Sequence, residues 1–123
     1  MGKSVARNLR TGGRFITEIA HPEFSRTPGY YRQYGFEFFI DEGVNDGGEI
    51  RCSLCLGDTV MARLTGVYWT LDAVASAMKE AGFGDLHWVN LELSEQGRAQ
   101  YGAEFWDDFL RKPPHIFLDC KKA

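Results

Sequence analysis

The chain has no apolar run approaching the roughly 18 residues that a membrane-spanning helix requires, so a bilayer is not among its expected partners. It has no excess of positive charge. The 14 lysines and arginines stand against 17 acids, a net charge of −3, and a nucleic-acid footprint needs a basic face. The imbalance is also too mild for a disordered acidic tail. Cysteine is scarce and odd in number, three in all, which excludes a disulfide framework and places the chain in the reducing cytoplasm. Met1 to Arg14 is basic but lacks the apolar centre of a secretory signal. Internal repeats, low-complexity stretches and interdomain linkers are missing as well.

What is present suits one packed domain over residues 1–123. The length is one domain's worth, and 44% of the residues are hydrophobic, enough for a core. Val5, Ala6 and Leu9 stand at helical spacing within Lys3–Arg10, and Gly12-Gly13 stops that helix. Arg14–Ile19 is β-branched and aromatic and predicts a strand, ended by His21-Pro22. Glu23–Gly35 is irregular and carries Tyr30, Tyr31 and Tyr34. Phe36–Ile40, Glu49–Leu56 and Thr59–Tyr68 then read as an antiparallel meander, with turns at Asn45-Asp46-Gly47-Gly48 and Gly57-Asp58.

Leu71, Val74, Ala75, Met78 and Ala81 form the clearest helical stripe. Thr70 is its expected N-cap, Asp72 suits its positive end, and Gly82 stops it. A strand is expected over Leu86–Leu93 and a short helix from Ser94 to Tyr101. A second helical stretch around Phe105, Trp106, Phe109 and Leu110 should end at Pro113-Pro114, with Trp106 packing it onto the sheet. His115–Cys120 reads as the final strand, followed by a short basic end.

The chemistry-bearing residues are few. Cys52-Ser53-Leu54-Cys55 spells C-x-x-C, but zinc needs two further ligands and none is grouped with the pair. Strand positions three apart point to opposite faces, so these are read as strand cysteines and no metal is expected. His21, His87 and His115 titrate near neutrality in their ordinary state; the latter two lie in strands and read as structural. Phe36, Phe38 and Trp69 read as the hydrophobic face of the meander, whereas Tyr30, Tyr31 and Tyr34 suit either packing or an aromatic pocket. Arg32, Arg51 and Arg63 are either solvated or able to orient an anion.

Several segments resemble class I S-adenosylmethionine-dependent methyltransferases. Leu9-Arg10-Thr11-Gly12-Gly13-Arg14-Phe15 is similar to the "L-(K/R)-P-G-G-R-(F/L)" turn that leads into that family's fifth strand, with Thr11 where proline is usual. Glu80-Ala81-Gly82-Phe83 resembles the family's "L-x-x-A-G-F" helix end before the sixth strand, and Ile116–Ala123 resembles its seventh. Tyr31–Phe36 and Gly102–Trp106 look like segments of small-molecule methyltransferases of the toxoflavin-biosynthesis type.

The resemblance implies an α/β fold: a partial Rossmann-like methyltransferase, strands five to seven, with a substrate-cap insertion at about 23–68. It implies S-adenosylmethionine as cofactor and a small-molecule methyl acceptor. His21 then stands past the fifth strand as a candidate general base. Tyr30, Tyr31, Tyr34, Tyr68 and Arg32 become the expected acceptor contacts.

The family's "(D/E)-x-G-x-G-x-G" cofactor turn follows a strand, but Gly12-Gly13 precedes one and Gly82-Phe83-Gly84 ends a helix. No cofactor-binding residue is therefore expected. The chain reads as a truncated frame or one half of a split enzyme, inactive alone, with a second polypeptide or a second copy pairing along the fifth strand. The alternatives are an α+β ligand-binding cone of the nuclear-transport-factor type and a non-enzymatic interaction fragment.

Overall fold

A computed structural model describes residues 2–123. Its elements run α1 (Gly2–Arg7), β1 (Arg14–Ala20), β2 (Phe36–Phe39), β3 (Glu49–Leu56), β4 (Thr59–Val67), α2 (Leu71–Glu80), β5 (Phe83–Asn90), α3 (Glu95–Tyr101), α4 (Asp107–Arg111) and β6 (His115–Lys122). Short 3-10 turns precede β2 and α4. The described residues form two three-stranded sheets, β1-β6-β5 and β2-β3-β4, and not the single curved sheet of a cone.

In the first sheet the last strand lies in the middle. β6 pairs antiparallel with both β1 and β5, so those two run in the same direction on either side of it. One face carries Leu118 and Cys120 on β6, which pack with Ala6 of α1, Met78 of α2 and Phe83. Thr70 caps α2 as expected: its hydroxyl accepts from the Ala73 N–H at 3.3 Å. Gly13 is required by crowding, since a Cβ there would sit 2.8 Å from the Arg10 carbonyl oxygen.

Several element ends differ from the sequence reading, those of α1, β5 and β6 among them. β5 spans Phe83–Asn90, not Leu86–Leu93: its ladder with β6 runs from Phe83 opposite Lys122 to Asn90 opposite Ile116, and Pro113-Pro114 lies just before β6. β6 runs two residues past Cys120. Its Lys122 ammonium donates to the Ala6 and Leu9 carbonyls at 2.6 and 2.7 Å, placing a positive charge at the C-terminal end of α1 and the turn that follows it. The basic end is thus a helix cap.

The meander sheet enters between β1 and α2. Phe36 and Phe38 of β2 face the His115 ring of β6, with centroids 6.4 and 5.6 Å apart. Phe24, Tyr31 and Ile50 form the second core, with Phe36, Phe38 and Tyr68 against it. Trp69 does not belong to that core. It is 42% exposed and lines a groove of about 220 Å³ with Thr17 and Ile19 of β1 and Ala73, Val74 and Ala77 of α2. Trp106 packs elsewhere than expected too. Its indole stacks on Tyr34 at 5.5 Å and donates to the Gly97 carbonyl at 3.0 Å, tying α3 and α4 to the loop before β2.

Candidate functional site

The ends Ala20 of β1, Asn90 of β5 and His115-Ile116 of β6 lie side by side in the ladder. These are the carboxyl ends of two like-directed strands, and ligands of α/β sheets bind outside such ends. A cleft of about 470 Å³ opens there, lined by His21, Glu23, Tyr68, Asp72 and Asn90, with Leu71 and Ile116 as apolar floor. That volume is in the range of small-molecule pockets. Three elements converge: the turn after β1, the N-terminus of α2 and the last residue of β5.

His21 is held at both ends. Its backbone N–H donates to the Pro114 carbonyl at 2.9 Å, and its ring Nδ1 accepts from the Glu23 N–H at 3.0 Å. Burial pushes its pKa below the ordinary histidine value, against the pull of Glu23 and with help from Lys112. With Nδ1 accepting a backbone N–H, the imidazole is held as the neutral tautomer that carries its proton on Nε2. In that state Nε2 is a donor. Accepting a proton there requires the other tautomer and the loss of the Glu23 bond.

Tyr68 lines the same cleft and points its hydroxyl at the Pro22 carbonyl, 3.4 Å away. Thr70, at the mouth, donates to Asp46 through its N–H at 2.6 Å and its hydroxyl at 3.1 Å. Arg26 clamps the turn beside it, donating to the Phe24 and Pro22 carbonyls at 2.9 and 3.0 Å. Its guanidinium lies 3.9 Å from the Phe24 ring centroid.

The structure does not bring Tyr30, Tyr31, Tyr34 or Arg32 into this cleft. The three tyrosines act as tethers. Tyr30 donates to the Asp108 carbonyl at 2.8 Å, Tyr31 to that of Lys112 at 2.6 Å, and Tyr34 to that of Phe105 at 2.6 Å. Tyr31 is 1% exposed, and its hydroxyl also accepts from the Ser25 N–H. Burial raises all three phenol pKa values. Arg32 pairs with Glu37 at 3.1 Å and Asp58 at 3.3 Å.

The remaining candidates lie apart. His87 contacts Asp85 at 2.9 Å on the exposed face of β5. His115 sits under Phe36 and Phe38 with Glu18 at 3.3 Å. Arg51 pairs with Asp41, and Arg63 lines a shallow pocket on the outer meander face. Among the described residues no three metal-ligating side chains gather, and no helix is long and apolar enough to cross a membrane. Glu23, Asp72 and Asn90 were not marked by the sequence. Asp72 was legible only as a helix-end charge, and Asn90 only as one position of the strand expected over Leu86–Leu93.

No protein-family model matches the chain, and no curated protein sequence does. Solved structures do. A Listeria monocytogenes protein classed as an S-adenosylmethionine-dependent methyltransferase superposes with a TM-score of 0.64 at 20% identity, over 99% of this chain and 53% of that one. An S-adenosylmethionine-dependent methyltransferase of Mesorhizobium loti gives a TM-score of 0.57 at 15% identity, over 98% and 53%. The chain thus spans about half the length of the structures it matches. Residues 2–123 have the α/β fold of about half of an S-adenosylmethionine-dependent methyltransferase.

Proposed function

We propose that this chain is the substrate-side portion of an S-adenosylmethionine-dependent small-molecule methyltransferase, working in the cytoplasm. The observation that carries the reading is the cleft at the carboxyl ends of β1 and β5, in a fold otherwise seen in methyltransferase structures twice as long. His21 and Tyr68 contact the acceptor directly, His21 as an Nε2–H donor. Tyr30, Tyr31 and Tyr34 serve the site from a distance by fixing the cap to the backbone around α4, and Arg32 fixes the start of β2.

The described residues do not by themselves fit the cofactor. β1 runs into His21-Pro22 and β5 into Leu91–Ser94, so neither strand leads through a glycine-rich turn into a helix. S-adenosylmethionine supplies an activated methyl group when bound. This chain's part is to hold the acceptor in line and keep water out. The cofactor half comes from polypeptide outside residues 1–123, adjoining sequence or a second chain, and continues the sheet from β1. That strand pairs on one side only, with Ile16 51% exposed and the Trp69 groove open beside it. A second copy of the chain pairing along the same edge is the competing occupant.

The test is transfer of a labelled methyl group from S-adenosylmethionine to a panel of small acceptors. Residues 1–123 alone are expected to give none. The polypeptide extended by the adjoining coding sequence is expected to bind S-adenosylmethionine and transfer. Failure to bind it and transfer, both by the extended chain and by residues 1–123 supplied with a second chain carrying the cofactor half, would sink the reading.

A further inference from the structure

Two helix–turn–strand units flank β6, and they are unequal. α2 has 10 residues and leads into β5. Among the described residues α1 has six and leads into β1, a strand of seven. At 1.5 Å per helical residue and 3.3 Å per strand residue, α2 runs about 15 Å back along its strand, whereas α1 runs about 9 Å along a strand of about 23 Å. The inward side chains record the difference. Val74 and Ala81 of α2 pack in one core with Leu86 and Trp88 of β5. On β1, Phe15 joins that core beside Val5 and Leu9, but Ile19 does not. With Thr17 it lines the Trp69 groove.

The groove begins where α1 does. Gly2 lines it, and a Cβ on Gly2 would lie 3.2 Å from both the Ala81 Cβ and the Met78 sulfur, so α1 and α2 are in contact there. From Gly2 the walls climb together, Thr17 to Ile19 along β1 and Ala77 to Ala73, one turn, along α2. Trp69, just before α2, stands at the far end. No charged side chain lines the groove among the described residues, and Ala77 and Trp69 are exposed in it. A parallel strand added at the free edge of β1 is joined to it by a crossover of about a dozen residues or more, usually helical. α1 supplies six of them, and the solved structures that match are about twice as long as this chain.

We propose that the groove is the seat of the segment immediately upstream of Gly2 in the longer polypeptide. That segment continues α1 by about one to two helical turns and lays an apolar face against Ile19, Trp69 and Ala77. The proposal rests on the reading that the first sheet continues from β1 into polypeptide outside residues 1–123.

The experiment compares residues 1–123 with the polypeptide extended by its adjoining coding sequence, by nuclear magnetic resonance with a soluble nitroxide. Methyl transfer is assayed on the same extended sample. The Trp69 ring signals should be attenuated by the nitroxide in the short chain and lose most of that attenuation in the extended one. Residues upstream of Gly2 should show helical carbon shifts and Overhauser contacts to the Trp69 ring and the Ile19 methyls. Ala77→Glu should move the thermal midpoint of the short chain by no more than about 1 °C and lower that of the extended chain by about 5 °C or more, because the carboxylate is buried there against the new helix.

An extended chain that transfers methyl groups while Trp69 stays as open to the nitroxide as in the short chain would overturn the inference and leave the methyltransferase reading in place. Contacts to Trp69 from any other segment or chain, a second copy of residues 1–123 included, would overturn it too. Helical contacts from upstream of Gly2 in an extended chain that fails to transfer would uphold the inference and count against the reading.

Discussion

The two sheets are held by different forces. β1-β6-β5 is built on aliphatic burial: Leu118 is fully buried between Met78, Phe83 and Cys120, and α1 and α2 cover that face. The meander is built on rings and directional bonds. Its core has three buried residues, and the loop before it is pinned by tyrosine hydroxyls to carbonyls around α4. Much of β4 stays exposed, Leu64 at 53%. Area burial is non-directional and tolerates small shifts, whereas a hydroxyl–carbonyl bond fixes a loop to within tenths of an ångström. The cap is therefore positioned by a few bonds, and the cleft lies where the two regions meet.

Substitutions can break or sharpen that contrast. The largest effect is expected for Leu118→Ala, about 2–5 kcal/mol lost in chemical denaturation. Leu64→Ala on β4 should cost under about 0.5 kcal/mol. Equal losses at the two positions would erase the distinction. Tyr31→Phe is next. It leaves the buried Ser25 N–H and Lys112 carbonyl without their shared partner, at about 1–3 kcal/mol. Amide exchange should quicken in the cap more than in β6, and a uniform change would argue against the tether. Thr70→Ala should cost about 1 kcal/mol through the lost cap of α2, read from the same denaturation curves.

The smallest effect is a pH slope. Burial holds His115 below the ordinary histidine pKa of 6.5, and His21 likewise. Below that value the unfolded chain takes up protons that the folded chain resists. Stability is then complete above about pH 6.5 and falls as the pH drops through it. Glu18 pulls the His115 pKa upward, so Glu18→Gln should steepen the fall. Thermal midpoints across this range decide it, and a slope unchanged by Glu18→Gln would separate His115 from the effect.

Most of the fold was legible in the sequence because its signals are local. Thr70, Asp72 and Gly82 mark α2, Ser94 caps α3 through the Gly97 N–H, and the glycine turns set the meander. The misplaced features depend on partners distant in sequence. β5 ends where β6 ceases to match it, and the reach of Lys122 to α1 spans more than a hundred residues. The site divides in the same way. His21 and Tyr68 stood out as a histidine past a strand and a tyrosine in an aromatic segment, and both line the cleft. Tyr30, Tyr31 and Tyr34 carried the same composition signal, yet their hydroxyls reach the last helix, which no local pattern reveals. Glu23, Asp72 and Asn90 look like ordinary surface residues until three elements place them together.

The central claim is that the first sheet continues beyond β1. Amide exchange along Arg14–Ala20 tests it most directly, comparing residues 1–123 with the polypeptide extended by its adjoining sequence. The β1 amides that do not donate to β6 should exchange as freely as exposed backbone in the short, monomeric chain and become protected in the extended one. Protection of those same amides already in the monomeric short chain, or none gained in the extended one, would contradict the account.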